Sequence, residues 1–315
     1  MNKNSAEPFR IPPIFQVWIY AISNALSILC SIFVLYYLLF DRTLRRALNN
    51  HIIVVLLILG FIYELTTVLW ALHRRLYSTP WINNETFYRF TFFIDYGIYA
   101  TQITLFAWAT IERHILIFHD GWISTRKQRF LIHYLPIGGI LIYCLIYFSL
   151  VTFGPFCKQS FELYLAIDFY IPCTFDGTAL GTWDLIFHQA VTTGFIVIFS
   201  IALLIRVIQQ KHKRNQAIQW KKYRKMTIQL LSISSLYLVF NIPWTVLIFA
   251  SQYGVSADLI AIPMVFAIFF RIYVIFLFPF VCCASLPELR KKLKQFLLIH
   301  RRFRSHARVL PDHSL

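Results

Sequence analysis

Apolar residues run through this chain in long unbroken stretches, and charged residues gather in the short intervals between them. Stretches with few or no charges cover Ile14 to Phe40, Ile52 to Leu72, Phe90 to Phe118, Leu131 to Phe153, Leu185 to Ile208, Ile228 to Gln252 and Leu259 to Cys283. Each exceeds the roughly 20 residues an α-helix needs to cross hydrocarbon. Lipid offers no partner to a free backbone N–H or C=O, so such stretches are expected to cross as helices. The pattern predicts an all-α membrane protein built as a seven-transmembrane helix bundle. The first stretch follows a short polar leader. Its length and the flanking Asp41-Arg42 argue for a retained span, since a signal core is about 7 to 15 residues. No fixed-period repeat and no pair of inverted halves is evident. The chain divides into an N-terminal segment over 1–13, a bundle over 14–283, a basic and apolar segment over 284–299 expected to form an amphipathic helix, and a basic tail over 300–315.

Composition sharpens this picture. The sequence is 58% hydrophobic and 14% charged, against about 25% charged in soluble domains. Twenty-one of the 30 Lys and Arg residues fall in the four intervals on one side of the bundle, and six on the other. The positive-inside bias then puts the N-terminus outside and the C-terminus in the cytoplasm. The net charge of +16 is thereby mostly an inner-face charge facing anionic membrane lipid, and no nucleic-acid partner is implied. In the first outer loop Asn84-Glu85-Thr86 is a glycan acceptor sequence, whose use depends on its distance from the membrane. Cys157 and Cys173 lie in the second outer loop and are expected to bridge, whereas Cys30, Cys144, Cys282 and Cys283 sit in apolar spans as small hydrophobes. No metal-ligand or nucleophile–base spacing appears, so no metal, no cofactor and no enzymatic activity are expected.

The few charges inside spans stand out, because each costs about 2.5 to 3.5 kcal/mol in a bilayer and persists mainly where it is paired or used. Asp95 and Arg113 in the third stretch are eighteen residues apart, five helical turns, on one face and roughly 27 Å from each other. Between them the face carries Tyr99, Gln102, Phe106 and Thr110. It is polar near the outside and apolar in the middle, as an outer cavity above a packed gate requires. Glu64, Asp95 and Arg271 all fall in the outer half. Arg271 is expected to pair with Asp95, the trio with Glu64 keeping one net negative charge; the alternative pairs Arg271 with Glu64. The second outer loop, with Glu162, Asp168, Asp176 and Asp184 against Lys158, adds to a preference for a cation.

Four motifs then point to a family. Leu44-Arg45-Arg46-Ala47-Leu48-Asn49 entering the second span, Glu112-Arg113-His114 closing the third, Phe240-Asn241-Ile242-Pro243 in the sixth and Leu277-Phe278-Pro279-Phe280 in the seventh resemble rhodopsin-like (class A) G-protein-coupled receptors, as a divergent branch. The segment from Leu286 to Ile299 suits the cytoplasmic amphipathic helix of that family. The resemblance implies a multi-pass plasma-membrane receptor with a ligand pocket at Asp95, Tyr99, Gln102, Glu64, Arg271 and Asn241. It assigns G-protein coupling to Glu112, Arg113 and His114, with Glu112 holding Arg113 at rest. Pro243 and Pro279, which remove backbone donors and bend their helices, are the expected hinges. The partners implied are a heterotrimeric G protein, a small cationic or peptide ligand, and membrane lipid.

Departures from the family are specific. Ser31 replaces its first-span Asn, Leu59 or Gly60 its sodium-binding acid, and Asn241 its sixth-span Trp; Phe278 and Cys282 stand where Asn and Tyr flank the seventh-span proline. A sodium-regulated pocket is not expected. No Cys lies from His73 to Thr110, so the family's usual bridge to the third helix has no partner. Lys221-Lys222-Tyr223-Arg224-Lys225 offers no acid to Arg113, which points to weak resting restraint. Only Ser285, Ser305 and Ser314 follow the last span as hydroxyls for phosphorylation, so tail-dependent desensitisation is expected to be weak. A light sensor would need a seventh-span lysine for its Schiff base, and that span has only Arg271. A transporter or channel using the outer-half charges is the alternative. Whether the ligand is a peptide or an amine stays open.

Overall fold

Along the first helix, α1 (Pro13–Phe40), the inward residues are Val17, Tyr20, Asn24, Ser27, Ser31, Val34 and Leu38. Those facing outward include Trp18 and Leu29, 63% and 66% exposed. Asn24, Ser27 and Ser31 face other helices among these inward residues, while large apolar groups face out. That is what lipid selects, since it solvates Leu and Trp as well as a core does but cannot hydrogen-bond Asn or Ser.

The computed structural model describes residues 11–77, 81–82, 84–118, 125–154, 179–212, 217–286 and 288–295. After α1 come α2 (Arg42–Arg46), α3 (Leu48–Tyr63) and α4 (Leu69–Tyr77). The 34-residue α5 (Glu85–Phe118) follows, then α6 (Arg126–Arg129) and α7 (Leu135–Phe153). The chain continues through α8 (Ala179–Trp183), α9 (Thr192–His212), α10 (Ala217–Gln252), α11 (Ala257–Arg271) and α12 (Tyr273–Ser285). Residues 288–295 are helical, and no strand occurs among the described residues. Three π-helical segments, Glu64–Val68, Phe130–Tyr134 and Asp184–Val191, join α3 to α4, α6 to α7 and α8 to α9.

Six helical stretches among the described residues are long and apolar enough to cross a membrane: Pro13–Phe40, Asn50–Tyr77, Arg126–Phe153, Ala179–Arg206, Thr227–Gln252 and Asp258–Ser285. The chain is therefore an all-α protein with the helices of a multi-pass membrane protein. The expected third span is the exception. α5 is longer than any of those six but is diluted by Asp95, Thr101, Gln102, Glu112 and Arg113, all buried. Its position explains the difference: α5 touches α3, α7, α9 and α10, whereas α1, α3, α9, α10 and α12 form the surrounding arc, with α12 closing against α1. A helix inside a bundle meets protein on most sides and tolerates polar groups that a lipid-facing helix does not.

Ends and turns follow local chemistry. Asp41 caps α2, its Oδ1 accepting from the backbone N–H of Thr43 at 3.0 Å and of Leu44 at 3.5 Å. Thr125 and Gln128 form a capping box on α6. Gly254, at φ +82°, closes α10 in the left-handed region, and the Val255 N–H returns to the Ala250 carbonyl at 3.1 Å. The core centres on Phe106 of α5 stacked on Tyr237 of α10, ring centroids 4.3 Å apart. Past α12, Leu289 is buried and Leu293 packs on that core, while the Lys292 ammonium lies 5.7 Å over the Tyr37 ring. Pro243 and Pro279 both lie inside helices. Cys157 and Cys173, with the bridge expected of them, and the Lys221–Lys225 side chains lie outside the described residues; Cys30, Cys144, Cys282 and Cys283 are free thiols.

Candidate functional site

α5 positions two buried polar clusters, one near each end. At the first, Asp95 Oδ1 accepts from the Tyr63 hydroxyl, at the C-terminus of α3. Arg271, the last residue of α11, brings Nη2 to 3.7 Å from Asp95 Oδ2. The guanidinium lies 4.4 Å over the Tyr99 ring and 5.0 Å over the Trp244 ring. Tyr99, one turn below Asp95, donates to Asn241 Oδ1 at 2.7 Å, and Asn241 Nδ2 donates to Thr193 Oγ1 at 2.9 Å. Helix periodicity puts Asp95 and Tyr99 on one stripe, and the network ties α3, α5, α9, α10 and α11 together.

The six expected pocket residues do not share one chamber. Asp95, Tyr99, Arg271 and Asn241 belong to this network. Gln102 lies lower, its Nε2 donating to the Leu56 carbonyl at 3.0 Å. Together with Ser31, Gly60, Glu64 and Pro279 it lines a small internal cavity. The expected trio is corrected: Glu64 faces α1 instead, its Oε1 accepting from Ser27 and its backbone carbonyl accepting from Asn24 Nδ2 at 3.4 Å. Glu64 opens a π segment, and the wider turn rotates it away from the Asp95 stripe.

A cluster that the sequence reading missed lies on the other flank of α5. Asp184, expected in an acidic outer loop, is 2% exposed and starts the π segment before α9. Its Oδ2 accepts from the Tyr96 hydroxyl at 2.5 Å, and its Oδ1 lies 3.0 Å from His188 Nδ1. His188 lines a cavity of about 300 Å³ with aromatic walls that include Trp108, Tyr143, Trp183 and Phe195. An Asp followed four residues later by a His is helical spacing, and it was the available signal.

At the other end of α5, Glu112 Oε1 lies 2.5 Å from His133 Nδ1. His133 Nε2 is 3.0 Å from His51 Nδ1, and His51 Nε2 is 2.9 Å from the Arg45 carbonyl. The resemblance has Glu112 holding Arg113, its neighbour in the chain; Glu112 Oε1 is also met by His133 from the neighbouring span. Arg113 is 5% exposed, and His114 packs edge-on against Phe199 at 5.7 Å. Asn84 is exposed, its Oδ1 accepting from the Thr86 N–H at 2.8 Å at the start of α5.

Among the described residues no group of three or more His, Cys, Asp or Glu could hold a metal ion. No family model and no curated protein matches this chain.

Proposed function

We propose that the chain is a seven-span receptor of the plasma membrane, with α5 as its third span, which couples a small extracellular ligand to a cytoplasmic heterotrimeric G protein. The observation that carries this reading is α5 itself. One continuous helix holds the Asp95–Arg271 network near one end and Glu112-Arg113 near the other, with the Phe106–Tyr237 stack between them. A ligand that alters the contacts of Asp95 acts on a packed lever, because close-packed interfaces switch between arrangements rather than deform smoothly. Arg113, buried beside α12, is then the group released to the G protein, and Pro243 and Pro279 are where α10 and α12 bend. The motif resemblance in the second, third, sixth and seventh spans supports the same reading, as does the Lys and Arg bias for an outside N-terminus.

By itself Asp95 implies a cationic ligand, amine or peptide. The test of the receptor reading needs no ligand. The full chain is reconstituted in vesicles with purified heterotrimeric G proteins of each Gα class, and nucleotide exchange is compared with receptor-free vesicles. Exchange above that background, abolished by Arg113→Ala in a variant that still folds, is the expected result. No exchange with any class, together with ion or solute flux through the same vesicles, would overturn the reading in favour of a transporter or channel.

A further inference from the structure

Arg271 carries five N–H donors on a planar fork, yet among the described residues none of them makes a hydrogen bond. Its approach to Asp95, 3.7 Å, is an ion pair beyond hydrogen-bond reach. The guanidinium also lies over the faces of Tyr99 and Trp244. A guanidinium covered on its faces keeps its N–H edges for an acceptor lying in its plane, and those edges suit a carboxylate held by two parallel bonds. The side chain retains only 9% of its surface. So buried a cation without acceptors is costly, and the cost falls when a ligand supplies them.

Charge restricts the ligand further. Asp95 and Arg271 together are neutral, and Glu64 is turned to Ser27 of α1. A simple cation or a simple anion entering here would leave one net charge in a low-dielectric space. A zwitterion leaves none. Asp95 Oδ1 is taken by Tyr63, while among the described residues Oδ2 meets only Arg271 and keeps lone pairs for an ammonium. The two receptor charges are 3.7 Å apart, which matches a ligand whose own two charges sit on one carbon.

We infer that this site takes a free α-amino acid, its carboxylate on the Arg271 edge, its ammonium on Asp95 Oδ2, and an apolar or aromatic side chain beside the half-buried Trp244. The inference rests on the receptor reading for its biological meaning and replaces the simple cation with a zwitterion. The full chain in lipid nanodiscs is titrated with phenylalanine and with leucine while its thermal midpoint is followed. Phenylalanine methyl ester and phenethylamine, which lack the carboxylate, and N-acetylphenylalanine, which lacks the ammonium, are run beside them. A saturable rise with phenylalanine or leucine, at least tenfold weaker for the three altered compounds, is expected. Arg271→Lys, which keeps the charge and loses the fork, should weaken that binding at least tenfold. Asp95→Asn should narrow or reverse the preference for phenylalanine over N-acetylphenylalanine. Binding of phenethylamine as tight as that of phenylalanine, or no saturable binding of either amino acid, would overturn the inference. Binding is read without any G protein, so its failure leaves the nucleotide-exchange result standing, and loss of exchange with binding intact would count only against coupling.

Discussion

Glu112 and His133 meet at 2.5 Å between α5 and the π segment before α7, with side chains that keep 2% and 0% of their surface. Neither has water as an alternative partner. This contact, extended through His51 to the Arg45 carbonyl, joins the second, third and fourth helical stretches next to Arg113.

Removing one member of such a pair strands the other. His133→Phe should destabilise the bundle by about 3 to 5 kcal/mol, the usual cost of breaking a buried pair on one side. Glu112→Gln in the same chain should recover part of that loss, because an amide is cheaper to bury than a carboxylate. Thermal unfolding in detergent decides; equal midpoints for His133→Phe and wild type would show that the contact contributes nothing.

Gly60 is packed against α5. A Cβ there would stand 3.2 Å from Gln102 Nε2 and 3.5 Å from an Ile275 methyl. Gln102 is held by the Leu56 carbonyl, so it yields poorly. Gly60→Ala should cost about 1 to 3 kcal/mol as overpacking, and Gln102→Ala should relieve most of it. A double variant no more stable than Gly60→Ala would place the strain elsewhere.

The Tyr99 hydroxyl supplies Asn241 Oδ1 with its donor at 2.7 Å. Tyr99→Phe leaves that oxygen buried without one and should cost about 1 to 3 kcal/mol. A Tyr99→Phe chain as stable as wild type in the same unfolding assay would mean the bond is not formed.

Asp41 is a pH-dependent cap. Hydrogen bonds from the Thr43 hydroxyl and from the Thr43 and Leu44 backbone hold its carboxyl below the usual carboxylate range. A depressed folded value means that the stabilisation is complete above the ordinary carboxylate value and is lost as pH falls through the lowered one. Amide protection factors at Thr43 and Leu44, with exchange corrected for its intrinsic pH dependence, should therefore fall on acidification through that window. Asp41→Asn should remove the pH dependence, and an unchanged profile in that variant would assign it to another group.

Apolar runs reveal where helices lie, because length and hydrophobicity set a span; the first run, from Ile14 to Phe40, meets a helix over Pro13–Phe40. They say little about rotation, since lipid and core are equally apolar and either side of a span can carry Leu or Phe. That is why Glu64, grouped with Asp95 because both fall in the outer half, faces Ser27. Asp95 and Arg271 were legible because an isolated buried charge in a span needs an opposite charge. Asp184, His133 and His51 lie close to polar intervals, where a titratable residue reads as loop, and the burial of Asp184 and His133 depends on π segments that no periodicity marks.

Each of those π segments holds one residue more than an α-helix would spend on the same stretch. Deleting a single residue from Glu64–Val68, Phe130–Tyr134 or Asp184–Val191 would restore α register and swing everything on one side of the cut by about 100° about the axis. Glu64, His133 and Asp184 would then lose their alignment with Ser27, Glu112 and Tyr96. Inside these helices the gene tolerates substitution of apolar letters far better than it tolerates the loss of one codon.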